Sequence, residues 1–315
     1  MSIKYDILSL GSWAIFDHIF KLSKYPSPGE TVKLKMPVSL LKAEYFGDCS
    51  ANIAAVAAKL GTRVALNMVV GDDFVASGYQ THLESLGVDL TSTKVMQGET
   101  SGHNFLYFDD NGEGFCISHL GVAENQDSWQ LPVEIINNSN YVVVNEMFSN
   151  CSLSALAYAK SKDKKTVING MVATAEVFAA KLIELTDILF ISQSEYNNLL
   201  TVLDINSIKQ LQNFGPKILF ITMGFQGSTA YINDEIYKIP LVPASKTVDP
   251  TGAGDAYAAG TMVALIKGFS GKKAAQVGST VSSFIVEAWG CQTNLPTWLE
   301  VKTRYELFFQ EELKP

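Results

Sequence analysis

The stretch VDPTGAGDAYAAG at residues 248–260 decides how this chain is interpreted. Its small residues let the backbone come close to a ligand, and residues 256–267 then contain no helix breaker except Gly260, which predicts a helix. Asp255 falls in the first turn of that helix. The helix is apolar or small nearly all round, which predicts that it is buried.

A buried helix N-terminus suits the transfer of a phosphoryl group to an alcohol. Its unpaired N–H groups and the positive end of its dipole attract anions. The amides of Gly252, Ala253 and Gly254 would hold the developing negative charge, and Asp255 would take the proton of a hydroxyl. Glycine and acidic residues also occur at helix starts for capping alone. Because Asp249 and the small-residue helix share the same window, we favour the functional interpretation.

This window resembles the signature of the ribokinase-like (PfkB-type) carbohydrate kinases, D-T-x-G-A-G-D-x-F-x-x-G, with mild changes at Pro250 and Tyr257. Three further segments resemble that family's patterns in the family's order. They are GDCSANIA at 47–54, ITMGFQG at 221–227 and GCQTNLP at 290–296. Because the matches span nearly the whole chain, it is identified as a member of this family.

Alternating apolar runs and helical stretches predict an α/β fold with a mostly parallel sheet covered on both faces. The strand-like runs are Ile7–Leu10, Val64–Val70, Tyr141–Val144, Thr166–Ile168, Ile188–Ile191 and Ile218–Thr222. The helical stretches are Ser50–Leu60, Asp73–Leu86, Leu153–Lys160, Thr174–Leu185 and Ile205–Phe214. The resemblance implies the three-layer α/β/α ribokinase-like architecture, with ligands beyond the carboxyl ends of the strands.

Two stretches break the alternation and predict a small accessory sheet. Ile15–Phe46 is extended, and Gly102–Leu120 forms a hairpin around the turn at residues 109–112. The resemblance implies that these segments, about 13–46 and 91–120, form a lid inserted into a single kinase domain covering residues 1–315. Because exposed sheet edges are natural pairing sites, the lid strands are candidates for joining two copies into a homodimer.

The resemblance implies a nucleotide site formed by the ends of two strands and a late helix. Thr222, Gly224 and Gly227 follow a strand and would line the nucleotide, although a tight turn alone explains the same pattern. Ser192 stands where the family usually has Asn, and Ser279 falls near the position that contacts adenine.

The resemblance also implies a sugar pocket. Asp17 follows the first strand and would hold sugar hydroxyls, with Gly47, Asn52 and Glu146 beside it. Asp48 replaces the second glycine of the family's pair, which indicates either an unusual substrate or a cap for the following helix.

Two carboxylates are candidates for holding cations. The resemblance implies that Glu195 organises Mg²⁺ through water, with capping of its own helix as the alternative. Asp249 either caps the turn that follows it or helps bind a monovalent cation such as K⁺.

Composition restricts the possible partners and compartment. The 315 residues carry a formal net charge of −8, which argues against a nucleic-acid surface, and no apolar stretch is long enough to cross a membrane. Four dispersed cysteines and the lack of a signal-peptide pattern predict a reduced, cytoplasmic protein. The histidines show no metal spacing, and His103 and His119, which flank the predicted hairpin, are interpreted as polar residues at a sheet edge.

These observations predict an ATP- and Mg²⁺-dependent kinase that phosphorylates a hydroxyl of a small sugar or sugar-like molecule. Kinases of nucleosides or vitamin precursors are the nearest alternatives, because fold alone does not choose among substrates. A non-catalytic sugar-binding or regulatory relative is a third alternative, suggested by Asp48 and Ser192. No P-loop sequence is present, which disfavours a P-loop kinase.

Overall fold

A computed structural model describes residues 3–110, 114–146 and 148–315 of the chain. The strands are β1 (Tyr5–Leu10), β2 (Phe16–Lys21), β3 (Tyr45–Phe46), β4 (Val64–Asn67), β5 (Val69–Gly71), β6 (Lys94–Met96), β7 (His103–Phe108), β8 (Gly114–His119), β9 (Ser139–Asn145), β10 (Lys165–Asn169), β11 (Ile188–Ser192), β12 (Ile218–Thr222), β13 (Ser228–Ile232) and β14 (Glu235–Ile239). The helices are α1 (Cys49–Lys59), α2 (Asp73–Ala76), α3 (Tyr79–Ser85), α4 (Val133–Asn137), α5 (Asn150–Ser161), α6 (Ala179–Glu184), α7 (Gln193–Val202), α8 (Ile208–Phe214), α9 (Ala253–Ile266), α10 (Gly271–Ile285) and α11 (Trp298–Phe309). Short 3-10 helices cover Val38–Leu40, Gly121–Ser128, Val172–Phe178 and Gly224–Gln226.

The large sheet has the strand order β14-β13-β12-β11-β10-β9-β1-β4. Its strands from β4 to β12 are parallel, and β13 and β14 add an antiparallel hairpin at one edge. The neighbouring residues Ile7 and Leu8 on β1 are both fully buried, but they pack into opposite helical layers. Burial on both faces explains why the strands are continuous apolar runs. The predicted three-layer α/β/α fold is confirmed.

Helix α9 is deeply buried. Its residues from Asp255 to Ala264 are all buried, and it packs closely against α10. The close approach depends on glycine: a Cβ added to Gly278 would lie 2.6 Å from the carbonyl oxygen of Tyr257, and one added to Gly260 would lie 2.7 Å from Cγ2 of Val281.

A second, small sheet has the order β3-β2-β7-β8. Its strands fall within the two segments that the sequence predicts as a lid, whereas β6 in the second segment pairs with β5 in a separate ribbon. The register places Phe16 opposite His103 and Asp17 opposite Asn104. Because side chains alternate along a strand, Asp17 and Asn104 lie on one face and His18 and His103 on the other.

Several predicted elements differ in their bounds. The helix predicted over 73–86 is two helices, because Gly78 adopts φ +84° between α2 and α3. The strand predicted over 64–70 is divided into β4 and β5. Helix α9 begins at Ala253, after Gly252 adopts φ +76°, and Asp255 lies in its first turn as predicted. Asn111 and Gly112 of the predicted hairpin turn lie outside the described residues.

We expect Gly278→Ala to destabilise the fold by about 1–3 kcal/mol, since the new methyl group meets a backbone oxygen that cannot move aside. Equilibrium urea unfolding measures the change. The matched control is Gly254→Ala in α9, where an added Cβ meets no atom within 4 Å. A Gly278→Ala variant as stable as the Gly254→Ala control would contradict this account of the α9–α10 contact.

Candidate active site

Polar side chains stand where four neighbouring parallel strands end. Asn169, Ser192 and Thr222 are the last residues of β10, β11 and β12, and Glu146 follows β9. The carboxyl ends of parallel strands meet at one edge of the sheet, where open α/β sheets bind their ligands. The N-terminus of α9 reaches the same edge, because Gly254 and Asp255 line a cavity together with these four side chains.

The N-terminus of α9 carries unpaired amides. Among the described residues, the N–H groups of Gly252, Gly254 and Asp255 have no hydrogen-bond partner, whereas the Ala253 N–H donates to the Pro250 carbonyl at 3.2 Å. The sequence predicts the amides of residues 252–254 as an anion site. In the structure the amides of Gly252, Gly254 and Asp255 are available to a ligand, whereas the Ala253 amide bonds within its own turn.

Asp255 is held from two sides. Asn52 of α1 donates to its Oδ2 at 2.8 Å, and Asn169 of β10 donates to its Oδ1 at 2.9 Å. Asn52 in turn accepts a hydrogen bond from Gln292 at 2.9 Å. Burial raises the pKa of Asp255 above its ordinary value, while the bonds from Asn52 oppose that rise. The carboxylate is therefore fixed in orientation and more basic than an exposed one.

A cavity of about 160 Å³ adjoins Asp255. Of the predicted site residues, those that line it are Glu146, Ser192, Glu195, Thr222, Gly254 and Asp255. Cys49 also lines it, and its thiol donates to Glu146 Oε1 at 2.8 Å. Ser192, predicted beside the nucleotide, thus faces the same space as the proposed base.

A larger cavity of about 490 Å³ lies on the other side of Gly254. The predicted nucleotide residues Thr222, Gly224, Gly227 and Ser279 all line it, together with Ala253 and Gly254. The Ser279 hydroxyl is engaged with the backbone, accepting from the Val242 N–H at 3.1 Å and donating to the Pro240 carbonyl at 3.0 Å. Thr222 and Gly254 border both cavities, which places them between the two spaces.

Asp17 lies outside both cavities and packs against Gly47. A Cβ at Gly47 would lie 2.3 Å from Asp17 Oδ2, so glycine leaves room for the carboxylate in its observed position. Asn104 donates to Asp17 at 2.9 Å, and the Cys291 thiol donates at 3.4 Å. Burial raises the pKa of Asp17 to about 7, and the charges of Asp249 and Asp255 add to the rise.

Asp48 caps helix α1. Its Oδ1 accepts from the N–H groups of Ser50 at 2.8 Å and Ala51 at 3.1 Å, and its Oδ2 accepts from Trp13 at 2.7 Å. Burial raises the pKa of Asp48 to about 7. Of the two interpretations of this residue, the structure shows the cap, and its oxygens are engaged by the backbone rather than aimed at either cavity.

Asp249 also caps the turn that follows it. It accepts from the N–H and hydroxyl of Thr251, at 2.9 and 2.6 Å, and from the Gly290 N–H at 2.9 Å. These bonds join the turn before α9 to the GCQTNLP segment. Burial raises the pKa of Asp249.

Glu195 and Ser192 form a capping box at the start of α7. Glu195 Oε2 accepts from the Ser192 N–H at 2.6 Å, and its Oε1 accepts from the Met171 N–H at 2.8 Å. The capping role that the sequence offers for Glu195 is therefore present. The Glu195 side chain nevertheless lines the smaller cavity, so the same residue caps α7 and borders the candidate site.

The sequence motifs suggest no role for Cys49, Tyr257 or Cys291. Tyr257 lines both cavities and bonds Ser228 at 2.8 Å, and the Cys291 side chain would meet a Cβ at Gly252 at 2.8 Å. All three residues lie inside the recognised motifs. Only their position within the motifs indicates that these residues lie near the site, because their side-chain types are those of ordinary core residues.

A family model described as pfkB family carbohydrate kinase matches residues 43–298. The chain therefore belongs to the pfkB family of carbohydrate kinases, as its motifs predict, and is a kinase. Across residues 3–110, 114–146 and 148–315, no helix combines the length and apolar character that a membrane crossing requires.

The chain is similar to two archaeal proteins named nucleoside kinase. That of Methanothermobacter thermautotrophicus is 31% identical over 311 residues, covering 97% of each chain. That of Methanocaldococcus jannaschii is 29% identical over 293 residues, covering 92% of this chain and 93% of its own. The crystal structure of the latter superposes with a TM-score of 0.82 over 98% of this chain and 100% of the other.

A nucleoside kinase of Burkholderia thailandensis, solved with ADP and inosine, has a TM-score of 0.86 at 22% identity and covers 97% of each chain. At that identity the likeness concerns the fold alone. The ribokinase-like architecture implied by the motifs is confirmed.

We expect the free energy of unfolding to fall as the pH rises from about 4 to about 7. An ordinary aspartate titrates near 3.8, but Asp17 and Asp48 titrate near 7 in the folded protein. Between these values the folded state binds more protons than the unfolded state, so raising the pH favours unfolding. Urea unfolding at a series of pH values measures the slope.

Asp17→Asn should reduce that slope, because it removes one of the titrating groups. Asp234→Asn is the control: this carboxylate is exposed, and its hydrogen bond to Lys209 lowers its pKa, so it does not titrate in this range. A stability that rises over the same interval, or an Asp17→Asn slope equal to wild type, would contradict the assignment.

Proposed function

We propose that this kinase transfers the γ-phosphoryl group of ATP, with Mg²⁺, to a hydroxyl on the sugar of a nucleoside. The observation that carries the proposal is the N-terminus of α9, where Gly254 borders both cavities and Asp255 lines the smaller one beside the free amides. The nucleoside class rests on the names of the two archaeal relatives, which match nearly the whole chain. A free sugar is the second candidate, favoured by the description of the family.

The larger cavity would hold ATP. It is lined by the glycine turn at Gly224 and Gly227 and by Ser279, and it ends at Ala253 and Gly254 of α9. An anionic phosphate at that end would meet the free N–H groups and the positive end of the helix dipole. The fit to a nucleotide therefore rests on a cavity with a polar, positively polarised end.

The smaller cavity would hold the acceptor hydroxyl beside Asp255. In the proposed step the hydroxyl oxygen attacks the γ-phosphorus, its proton passes to Asp255, and ADP leaves. The free amides of Gly252, Gly254 and Asp255 would stabilise the charge on the transferred group. Asn52 and Asn169 would keep the Asp255 carboxylate aimed at the acceptor.

Glu195 would contribute to Mg²⁺ binding through water, because it lines the smaller cavity while its oxygens stay bonded to backbone amides. When bound, Mg²⁺ neutralises charge on the phosphates. The retained bonds favour a water-mediated role over direct ligation.

Asp17, Gly47 and Asn52 lie outside the wall of the smaller cavity, and they would form the sugar side of the acceptor site next to it, with Glu146 in the cavity wall. Asp48 would support this side indirectly by fixing the start of α1 next to Asn52. Its use as a cap gives a structural reason for its departure from the family pattern. The same is true of Ser192 at α7.

The small sheet would act as the lid of a single domain spanning residues 1–315, since Asp17 on its inner face reaches Cys291 beside α9. We also propose a homodimer through this sheet. Strand β8 is an edge strand with Phe115 and Ile117 exposed, which is the kind of edge that pairs with another chain. The four free cysteines support a reducing, cytoplasmic setting.

A panel assay tests the substrate class. ATP consumption is measured with purine and pyrimidine nucleosides, free pentoses and hexoses, and hydroxylated vitamin precursors. Turnover confined to nucleosides supports the proposal, and turnover confined to free sugars replaces it with the second candidate. Ligand binding without turnover across the whole panel would favour the non-catalytic alternative.

Asp255→Asn should lower kcat by about 10²–10⁴-fold, because the amide cannot accept the acceptor's proton. Steady-state kinetics with the best panel substrate measures the loss, and urea unfolding checks that the fold is retained. Asp234→Asn, a change of the same type at an exposed position, is the control and should keep wild-type turnover. Near-normal kcat in Asp255→Asn would remove this residue from the role of base.

We further propose that Asp249 supports a monovalent-cation site beside the free amides. It is buried, its pKa is raised by burial, and it joins the α9 turn to Gly290. Activity should rise as K⁺ replaces a bulky organic cation at constant ionic strength, and Asp249→Asn should blunt that response. Equal activity of the wild type with and without K⁺ would leave Asp249 as a cap only.

A further inference from the structure

Three potential metal ligands converge on the face of the small sheet opposite Asp17 and Asn104. His18 of β2 and His103 of β7 lie with Nε2 and Nδ1 3.0 Å apart. Glu44, next to β3, places Oε2 3.7 Å from each of these nitrogens. The three ligand atoms lie within 4.8 Å of one another. The sequence predicts no metal spacing among the histidines, because His18 and His103 are 85 residues apart and meet only through strand pairing.

The spacing of these atoms suits a tetrahedral ion. With zinc–ligand bonds of 2.0–2.1 Å, neighbouring ligand atoms are separated by about 3.3–3.4 Å. The observed separations of 3.0, 3.7 and 3.7 Å bracket that value. Two imidazoles and a carboxylate are a ligand set that zinc and related divalent transition metals accept.

Packing orients both rings before any ion binds. The His18 ring stacks on Phe105 at 4.9 Å, and the His103 ring packs against Phe16 at 5.1 Å. Within the described ranges, Glu44 forms no ion pair with a lysine or arginine, so its only charged or chargeable partners are the two histidines. A ligand set held by aromatic neighbours loses less conformational freedom on binding.

We propose that His18, Glu44 and His103 bind a zinc-type divalent metal, with water completing the coordination. The ion would join β2, β7 and the segment leading into β3. It would lie on the face of the small sheet opposite Asp17 and Asn104, and so apart from the kinase site. Its role would be to hold β2, which carries Asp17, against β7, which is a function separate from phosphoryl transfer.

The test measures metal binding directly. Calorimetric titration of the chelator-treated full chain with Zn²⁺ should give one site per chain, and Co²⁺ should give the visible absorption of a four-coordinate ion. His18→Gln and Glu44→Gln should each weaken Zn²⁺ binding at least about tenfold, since losing a ligand costs no less than losing a residue that only orients one. Zn²⁺ should also raise the Tm of the wild type but not of Glu44→Gln.

Two controls remove nearby alternatives on β8. His119→Gln deletes the exposed histidine opposite His103, and Cys116→Ser deletes the exposed thiol. Both should keep the Zn²⁺ Kd within about twofold of wild type, because neither side chain belongs to the cluster. Circular dichroism of each variant without metal verifies its fold.

Absence of saturable Zn²⁺ binding by the wild type would overturn the proposal. So would unchanged binding in a folded His18→Gln or Glu44→Gln variant, or an equal loss in the two controls. Because the readouts are affinity, spectrum and Tm rather than turnover, failure here is distinguishable from failure of the proposed kinase function.

Discussion

The structure is organised around a carboxylate and free amides at the buried tip of one helix. Asp255 lies at the start of α9, which is enclosed by α10 and the sheet, and asparagines from α1 and β10 hold its two oxygens. Burial makes the electrostatics of this tip strong, because little water screens it. The glycine contact between α9 and α10 matters for the same reason, since it permits the enclosure.

The acidic groups around this tip are uncompensated by basic side chains. Asp17, Asp48, Glu146, Asp249 and Asp255 all have raised pKa values, and in the part of the chain that the structure describes none forms an ion pair with lysine or arginine. Adding an anionic nucleotide increases the negative charge. A site of this kind requires cations or protons for balance, which is consistent with the Mg²⁺ and monovalent cation proposed above.

Local patterns predict the parts of the molecule that depend on neighbours in sequence. The apolar runs predict that the sheet is buried on both faces, and the polar residues that end these runs mark the ends of the strands. The motif at residues 248–260 correctly locates the start of α9 near Asp255. The sequence does not decide whether Asp48 caps helix α1 or contacts a substrate, because both roles require an acidic side chain at the same position. The meeting of His18 with His103 depends on the pairing of distant strands, which no local signal specifies.

The alternation of side chains between the two faces of β2 restricts how the small sheet can move. Asp17 and His18 are adjacent on opposite faces of the strand, and Asp17 is buried whereas His18 is half-buried. A slip of one residue between β2 and β7 would turn every side chain of the strand to the opposite face and exchange a carboxylate for an imidazole beside Cys291. The proposed closure of the small sheet over a substrate would therefore move the paired strands together, as one rigid body.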